Sequence, residues 1–271
     1  MEQSRDVSVR SWREGALLER IDSVVIEEPL ELRVDGEPLS LTMRTPGNDQ
    51  ELALGFLWGE GILHTPHALP SVESPGSGPT PSHNVLTLRS APDGLLQTAG
   101  RARGFLLSSS CGVCGSDSIA AIADRCGPIV SDLAVSFSTL QRLQPQLRSH
   151  QAVFERTGGL HAAALFDGEG RLDLLREDVG RHNALDKVVG ALLLQRRIPC
   201  GDRLLLVSGR LSFDLTQKAA MAGVPILCAV SAPSSLAVEL AQRMGITLVG
   251  FLRQGTANVY THPQRILLDS P

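Results

Sequence analysis

The chain has 271 residues, of which 42% are hydrophobic, 20% charged and only 4% aromatic. That suits one large or two ordinary domains with a proper core, and it excludes intrinsic disorder, a collagen-like repeat and a small disulfide-stapled scaffold. A net charge of −4 excludes a global basic field for nucleic acid or anionic lipid. The positive charge is lopsided all the same, because only Lys187 and Lys218 among the 25 basic residues are lysines.

The first hundred residues read as an α+β unit. Residues 24–26 and 31–34 alternate in strand fashion, and Asp35-Gly36 supplies a hairpin turn into 39–44. Thr45-Pro46-Gly47 breaks that strand. Asn48 followed by Glu51 has the spacing of a capping box, which predicts a helix through Leu52, Ala53, Phe56 and Leu57. Residues 64–82 hold five prolines among Gly and Ser and read as a surface loop. Strands are expected again at 84–89 and 94–98.

Beyond residue 104, residues 105–107 lead into Ser108-Ser109-Ser110-Cys111-Gly112-Val113-Cys114-Gly115 and then a helix over 117–125. Asp167-Gly168-Glu169-Gly170 joins strands 162–166 and 171–175 as a hairpin, and an apolar helix follows at 183–196. The last seventy residues alternate as strand 203–207, helix 213–222, strand 225–230, helix 234–244 and strand 246–252. Such a βαβαβ order implies parallel strands with right-handed crossovers. It gathers the loops 208–210, 231–233 and 253–256 at the carboxyl edge of the sheet, where open α/β sheets bind ligands.

The apolar runs 188–194 and 246–252 fall well short of the roughly 20 residues of a membrane span. Residues 1–20 carry both charge signs and no apolar h-region, unlike a signal peptide. Five cysteines, only two of them close together, speak for reduced thiols in a cytoplasm.

Cys111-Gly-Val-Cys114-Gly is the sharpest local signal. It has four uses: half of a zinc site that Cys126 and His161 could complete, a dithiol–disulfide couple, a tolerated turn, or a nucleophilic thiol on a loop. Gly112 and Gly115 free the backbone, and the loop runs into a helix amino end whose partial positive charge favours thiolate. Cys228 lies inside an apolar strand and reads as core. A second constellation, Arg176-Glu-Asp-Val-Gly-Arg-His-Asn-Ala-Leu-Asp-Lys187, crowds charge before an apolar helix. It is either a solvated helix start or an anion cradle built on Gly180-Arg181. Thr157-Gly158-Gly159-Leu160-His161 is a third polar element.

Together these segments closely resemble the formate dehydrogenase accessory sulfurtransferases, the FdhD family. Beside the CxxC segment, the 157–164 segment and the 176–187 block, the resemblance continues through Ser208-Gly-Arg210, Ser231-Ala-Pro233, Gly250-Phe-Leu-Arg253 and Asn258-Val-Tyr-Thr261. It spans about residues 44–266 in the family's order. It implies a sulfurtransferase that takes sulfane sulfur from a cysteine desulfurase as a persulfide and gives it to the molybdenum bis(molybdopterin guanine dinucleotide) cofactor of a formate dehydrogenase. Cys111 corresponds to the persulfide-bearing residue, with Cys114 assisting. Phe251, Leu252, Arg253, Gln254, Gly255 and Thr256 correspond to the cofactor-contacting stretch, and no resident metal is implied. The implied architecture is a C-terminal three-layer α/β domain of cytidine-deaminase-like topology (105–271) with a smaller N-terminal α+β domain (1–104), in a cytoplasmic homodimer without nucleic-acid or membrane partners.

Deaminase chemistry itself is not expected. Zinc deaminases need H-x-E followed downstream by P-C-x-x-C, whereas His161 is followed by Ala162-Ala163 and the CxxC lies upstream. The chain departs from its family in Ser116, where a basic residue is common, and in the long Pro-rich loop. The competing reading is a cytosolic CxxC thiol–disulfide or zinc-binding protein, and a third is a chaperone that only carries the cofactor.

Overall fold

The computed structural model describes residues 2–73, 83–90 and 119–269. The expected strand 94–98, segment 105–107, both CxxC cysteines, Ser116, the boundary at residue 104 and most of the Pro-rich loop lie outside these residues.

The chain opens with a hairpin that its sequence hides. β1 (Ser4–Arg13) and β2 (Ala16–Val25) pair antiparallel from Ser4↔Val25 to Arg13↔Ala16, around a Glu14-Gly15 turn with φ of 51° and 82°. Period-2 alternation marks a strand only when one face is buried. Here neither face is fully buried: Trp12 and Ile21 stand exposed on one, and Val7 and Val9 are only half-buried on the other, so the apolar pattern stays short.

β3 (Glu28–Val34) and β4 (Glu37–Arg44) form the expected hairpin, with Asp35 and Gly36 both at positive φ as its two-residue turn requires. β6 (Val85–Arg89) joins β3 in parallel. The Pro-rich segment contributes one element that was read as loop: β5 (Ser71–Glu73) edges the sheet, giving the order β4-β3-β6-β5. Helix α1 (Asp49–Gly59) falls where expected, but without the capping box. Asn48 adopts a left-handed φ of 57° and makes no side-chain cap bond. Glu51 reaches instead for Arg176, which holds it with two hydrogen bonds of 2.5 and 2.7 Å. A long-range bidentate pair has displaced a local one.

The remaining residues build a six-stranded sheet of order β13-β12-β11-β10-β8-β9. Its strands are β8 (His161–Phe166), β9 (Leu172–Asp178), β10 (Leu204–Val207), β11 (Ile226–Ala229), β12 (Thr247–Arg253) and β13 (Thr256–Val259). β10, β11 and β12 are parallel, linked through α6 (Phe213–Met221) and α7 (Ser235–Met244), as the alternation predicts. β8–β9 and β13 add antiparallel edges. Ser212 and Ser234 cap α6 and α7 by accepting from Leu215 and Ala237 N–H groups.

Two apolar cores lie against the two faces of this sheet. One joins Leu165, Leu205, Leu227 and Leu248 to α1, α6, α7, α5 (Arg181–Leu194) and the N-terminal sheet. The other joins Ala164, Phe166, Leu206, Cys228 and Val249 to Leu140, Leu143 and Leu147 of α3 (Phe137–His150). Sequence reading left α3 and the short α4 (Ala152–Thr157) unassigned. α3 carries Pro145 in its interior, and proline normally argues against helix. A short strand β7 (Val135–Ser136) pairs in parallel with β14 (Ile266–Leu267). Helix α2 (Ile119–Cys126) packs on α6 and α7. None of the described helices is long and apolar enough to cross a membrane.

The tightest joint is the crossing of α1 and α5. A Cβ on Gly55 would lie 1.9 Å from the Asp186 carbonyl oxygen, and one on Gly190 would lie 1.8 Å from that of Glu51. Backbone meets backbone there, so no side chain can yield. Gly190→Ala should therefore lower stability by about 3 kcal/mol or more, against the roughly 1 kcal/mol that alanine gains in an open helix. Urea unfolding measures this, and an unchanged midpoint would refute the close crossing.

Candidate functional site

The carboxyl ends of β10, β11 and β12 converge on three loops that their backbones tie together. Leu211 N–H donates to Ala232 O at 3.1 Å, Ser234 N–H to Leu211 O at 2.9 Å, and Phe251 N–H to Ser231 O at 3.1 Å. The expected cofactor stretch begins here. Phe251 is an exposed aromatic held at φ 52°, a left-handed conformation that bulky residues seldom adopt, beside a break in the β12–β13 register. Leu252 is fully buried in the core, whereas Arg253, Gln254, Gly255 and Thr256 are exposed at the hairpin end. Gly255 N–H donates to the Gln141 side chain, so α3 borders this hairpin.

One turn further along α3, Gln144, Leu147 and Arg148 line a cleft of about 410 Å³ that His161, Ser208 and Val230 close from the sheet edge. Ser208 is fixed there by exchange with Ala162: its N–H donates to Ala162 O and its hydroxyl accepts from Ala162 N–H, both at 2.9 Å. Gly209 sits where a Cβ would come within 3.5 Å of His161 Nδ1 and 3.6 Å of Arg181 Cδ. Loop 208–210, His161 and the amino end of α5 are thus brought together. His161 is half-buried, and burial followed by the charges of Arg181 and His182 keeps its imidazole below the ordinary 6.5. It is neutral at pH 7. His182 Nε2 faces Asp214 Oδ2 at 3.6 Å.

The charged block 176–187 divides in two. Arg176 is taken up by Glu51, and the Glu177 carboxylate accepts from the Val153 and Phe154 N–H groups at the start of α4. Asp178 pairs with Lys187 at 2.7 Å and accepts from Thr45 N–H, Gly180 N–H and Asn183 Nδ2. Lys187 also donates to Thr45 O at 2.9 Å and is fully buried. Asp186 meets Lys218 at 2.7 Å, where burial still pushes its carboxyl up to about 6. Both lysines of the chain are therefore inside the molecule. Arg181 and His182 stay half-buried at the rim, whereas Lys187 is enclosed, because α5 turns its next positions into the core.

Of the cysteines, Cys126, Cys200 and Cys228 are described, and burial raises all three thiols, to about 11 for Cys200 and about 12 for Cys228. None of them is a ready nucleophile. Helix α2, five residues after Cys114, ends among the carboxyl ends of its neighbours: Ile129 N–H donates to Met244 O at 2.8 Å, and Cys126 and Met221 border one hollow.

Comparison with known proteins now bears on the chain as a whole. The pattern of the FdhD/NarQ family matches residues 25–267. The chain belongs to the FdhD/NarQ family. It is 49% identical over 257 residues to the sulfur carrier protein FdhD of Mycolicibacterium paratuberculosis, covering 93% of this chain and 94% of that one. It is 42% identical to the FdhD of Sulfolobus acidocaldarius, over 97% and 99% of the two chains. A formate dehydrogenase accessory protein from Desulfotalea psychrophila has the same fold, with a TM-score of 0.76 and 26% identity over 98% of this chain and 100% of that one. The family pattern thus begins where the β1–β2 hairpin ends.

Sequence reasoning missed the wall of the cleft built by α3 and α4, including Arg148, the linking Gln151 and Phe154. No motif marks these residues, and both helices were themselves unassigned. Two results are expected at this site. Arg181→Met should move the His161 pKa upward toward 6.5 in an NMR titration, since it removes a cation that disfavours imidazolium; an unmoved or lower value would show the two are not coupled. Lys187→Met should cost about 3–5 kcal/mol in urea unfolding by leaving Asp178 buried without its partner. Lys187→Arg should not restore it, because the wider guanidinium has no room, and full rescue would contradict the closed geometry.

Proposed function

We propose that this chain is a sulfur carrier: Cys111 receives sulfane sulfur from a cysteine desulfurase and delivers it to a molybdenum bis(molybdopterin guanine dinucleotide) cofactor destined for a formate dehydrogenase. The observation that carries this reading is the near-full-length similarity to proteins named sulfur carrier protein FdhD, at 49% and 42% identity. The geometry supports it in two ways. Of the described cysteines, Cys200 and Cys228 are buried and Cys126 is half-buried, and burial raises all three thiols, which favours Cys111 and Cys114 for the chemistry. The helix that follows them, α2, begins five residues after Cys114, so the thiol pair stands shortly before a helix amino end in the chain.

The first step is an exchange. The Cys111 thiolate attacks the outer sulfur of the desulfurase persulfide, the new S–S bond forms on Cys111, and the desulfurase cysteine leaves as thiolate. The charge of that thiolate is favoured near a helix amino end. Delivery then releases a formally neutral sulfur atom, and its conversion to a sulfido ligand takes two electrons. These come from the metal cofactor, or from Cys114 with formation of a Cys111–Cys114 disulfide. The nucleotide-bearing cargo docks along the strand edge, with Arg253 and the Gln254-Gly255 turn toward its phosphates and Phe251 offering an exposed ring. The working unit on this reading is a cytoplasmic homodimer.

Mass spectrometry after incubation with a desulfurase and cysteine provides the test. The peptide spanning Cys111 and Cys114 should gain the mass of one sulfur atom, and Cys111→Ala should abolish both that gain and activation of a client formate dehydrogenase. A Cys111→Ala protein that still sulfurates and activates its client would sink the proposal.

A further inference from the structure

The cleft beside His161 contains one group that neither the sulfur chemistry nor the family segments account for. Gln151 joins α3 to α4, and its backbone is fully engaged: its N–H donates to Arg148 O at 3.3 Å and its carbonyl accepts from Glu155 N–H at 2.9 Å. Its side chain lines the cleft, the residue is only 4% exposed, and its Nε2 has no acceptor among the described residues. The usual duty of a polar residue at this position is to cap the following helix. It makes no such bond, because the Glu177 carboxylate already holds the Val153 and Phe154 N–H groups. An unpaired buried amide donor is unfavourable, and a leucine of similar size would avoid the penalty. A group that enters the cleft and accepts a hydrogen bond supplies the physical reason for glutamine.

The other walls narrow what that group is. Leu147, Leu160 and Val230 make much of the lining apolar, and burial disfavours a charge on the His161 imidazole opposite. Arg148 is stacked over the Phe154 ring at 4.0 Å, which gives that wall a flat face while the guanidinium keeps its charge. At about 410 Å³ the cleft is in the range of small-molecule sites. A flat heteroaromatic ring with an acceptor on its edge fits these walls, stacking on the flat face and meeting the Gln151 donor. Of the two polar ends of Gln151, the nitrogen is the one buried without a partner. The ring ketone of guanine answers it, and so does the ring ketone of an oxo-pterin, whereas adenine presents an amino donor at the matching position. The terminal amide torsion is soft, so the donor can turn toward the cleft as a base enters.

We infer that Gln151 is a specificity-determining residue, donating from Nε2 to the ring ketone of an oxo-purine or oxo-pterin base held in this cleft. The inference rests on the cofactor-carrying reading above, since molybdopterin guanine dinucleotide contains both ring types.

Isothermal titration of the full-length protein with GDP, ADP and free pterin tests it, with Gln151→Leu as the variant. The wild-type protein should bind GDP or pterin, and should bind ADP at least tenfold more weakly than whichever of the two it takes. If guanine is the base, Gln151→Leu weakens GDP binding at least tenfold and leaves pterin unaffected; if the pterin is the base, the reverse holds. The unliganded Gln151→Leu protein should melt at the same temperature as the wild type or higher, since an unpaired buried donor has been removed. Three results would overturn the inference: both ligands bind wild type and variant equally, neither binds the wild type, or the variant melts lower without ligand. Sulfur loading of Cys111 in the wild-type protein, measured alongside, separates the two levels. Loading with base binding indifferent to Gln151 refutes this inference alone, and absence of loading refutes the sulfur-carrier reading beneath it.

Discussion

The buried pair between Asp178 and Lys187 is the constraint on which the rest of the structure depends. It joins the end of β9 to α5, and through Thr45 it takes in the N-terminal sheet as well: Asp178 accepts from Thr45 N–H while Lys187 donates to Thr45 O. Two charges without water are tolerable only when every remaining lone pair and proton is satisfied. Here Gly180 and Asn183 complete the set on Asp178. The requirement fixes the register of α5 against β9, and α5 begins at Arg181 as a result. Arg181 and His182 are thereby left at the rim with His161, while the positions after them enter the core.

The same helix is locked from its other side by the glycine crossing with α1, where Gly55 and Gly190 each lie under a carbonyl of the opposing helix. A second buried pair, Lys218 with Asp186, repeats the device between α6 and α5. Basic side chains elsewhere in this protein are arginines. The two lysines occupy sites where a single donor point must fit a closed space, which a guanidinium fork would overfill. A scaffold joined this firmly can hold a sheet edge with exposed loops, a strained Phe251 and an unpaired Gln151 in its cleft wall. Such features weaken a protein locally and persist only when the surroundings determine them.

Much of the C-terminal half was legible because each element there has its own punctuation. Asp-Gly turns, serine caps and short apolar strands follow one another closely, and right-handed crossovers leave one way to arrange them. Three features were not legible. The β1–β2 hairpin lacks a fully buried face, so its apolar alternation is short. α3 hides behind Pro145 and a polar surface. The box Asn48–Glu51 was a sound local signal that lost to Arg176, a partner 125 residues away. At the site, the same division holds. The segments around Cys111, His161, Arg181 and Arg253 stand out in the sequence, whereas Gln151, Arg148 and Phe154 carry no pattern of their own.

Sequence alone determined the family, the parallel βαβαβ order and the edge at which its loops gather, since these depend on residue types at close spacing. Only the tertiary structure decided which charges of the 176–187 block face outward. A helix start rich in charge reads the same whether its side chains meet solvent or one another. Burial is set by what packs on that helix, and for α5 the packing partners, Thr45, Glu51 and Lys218, come from segments far away along the chain.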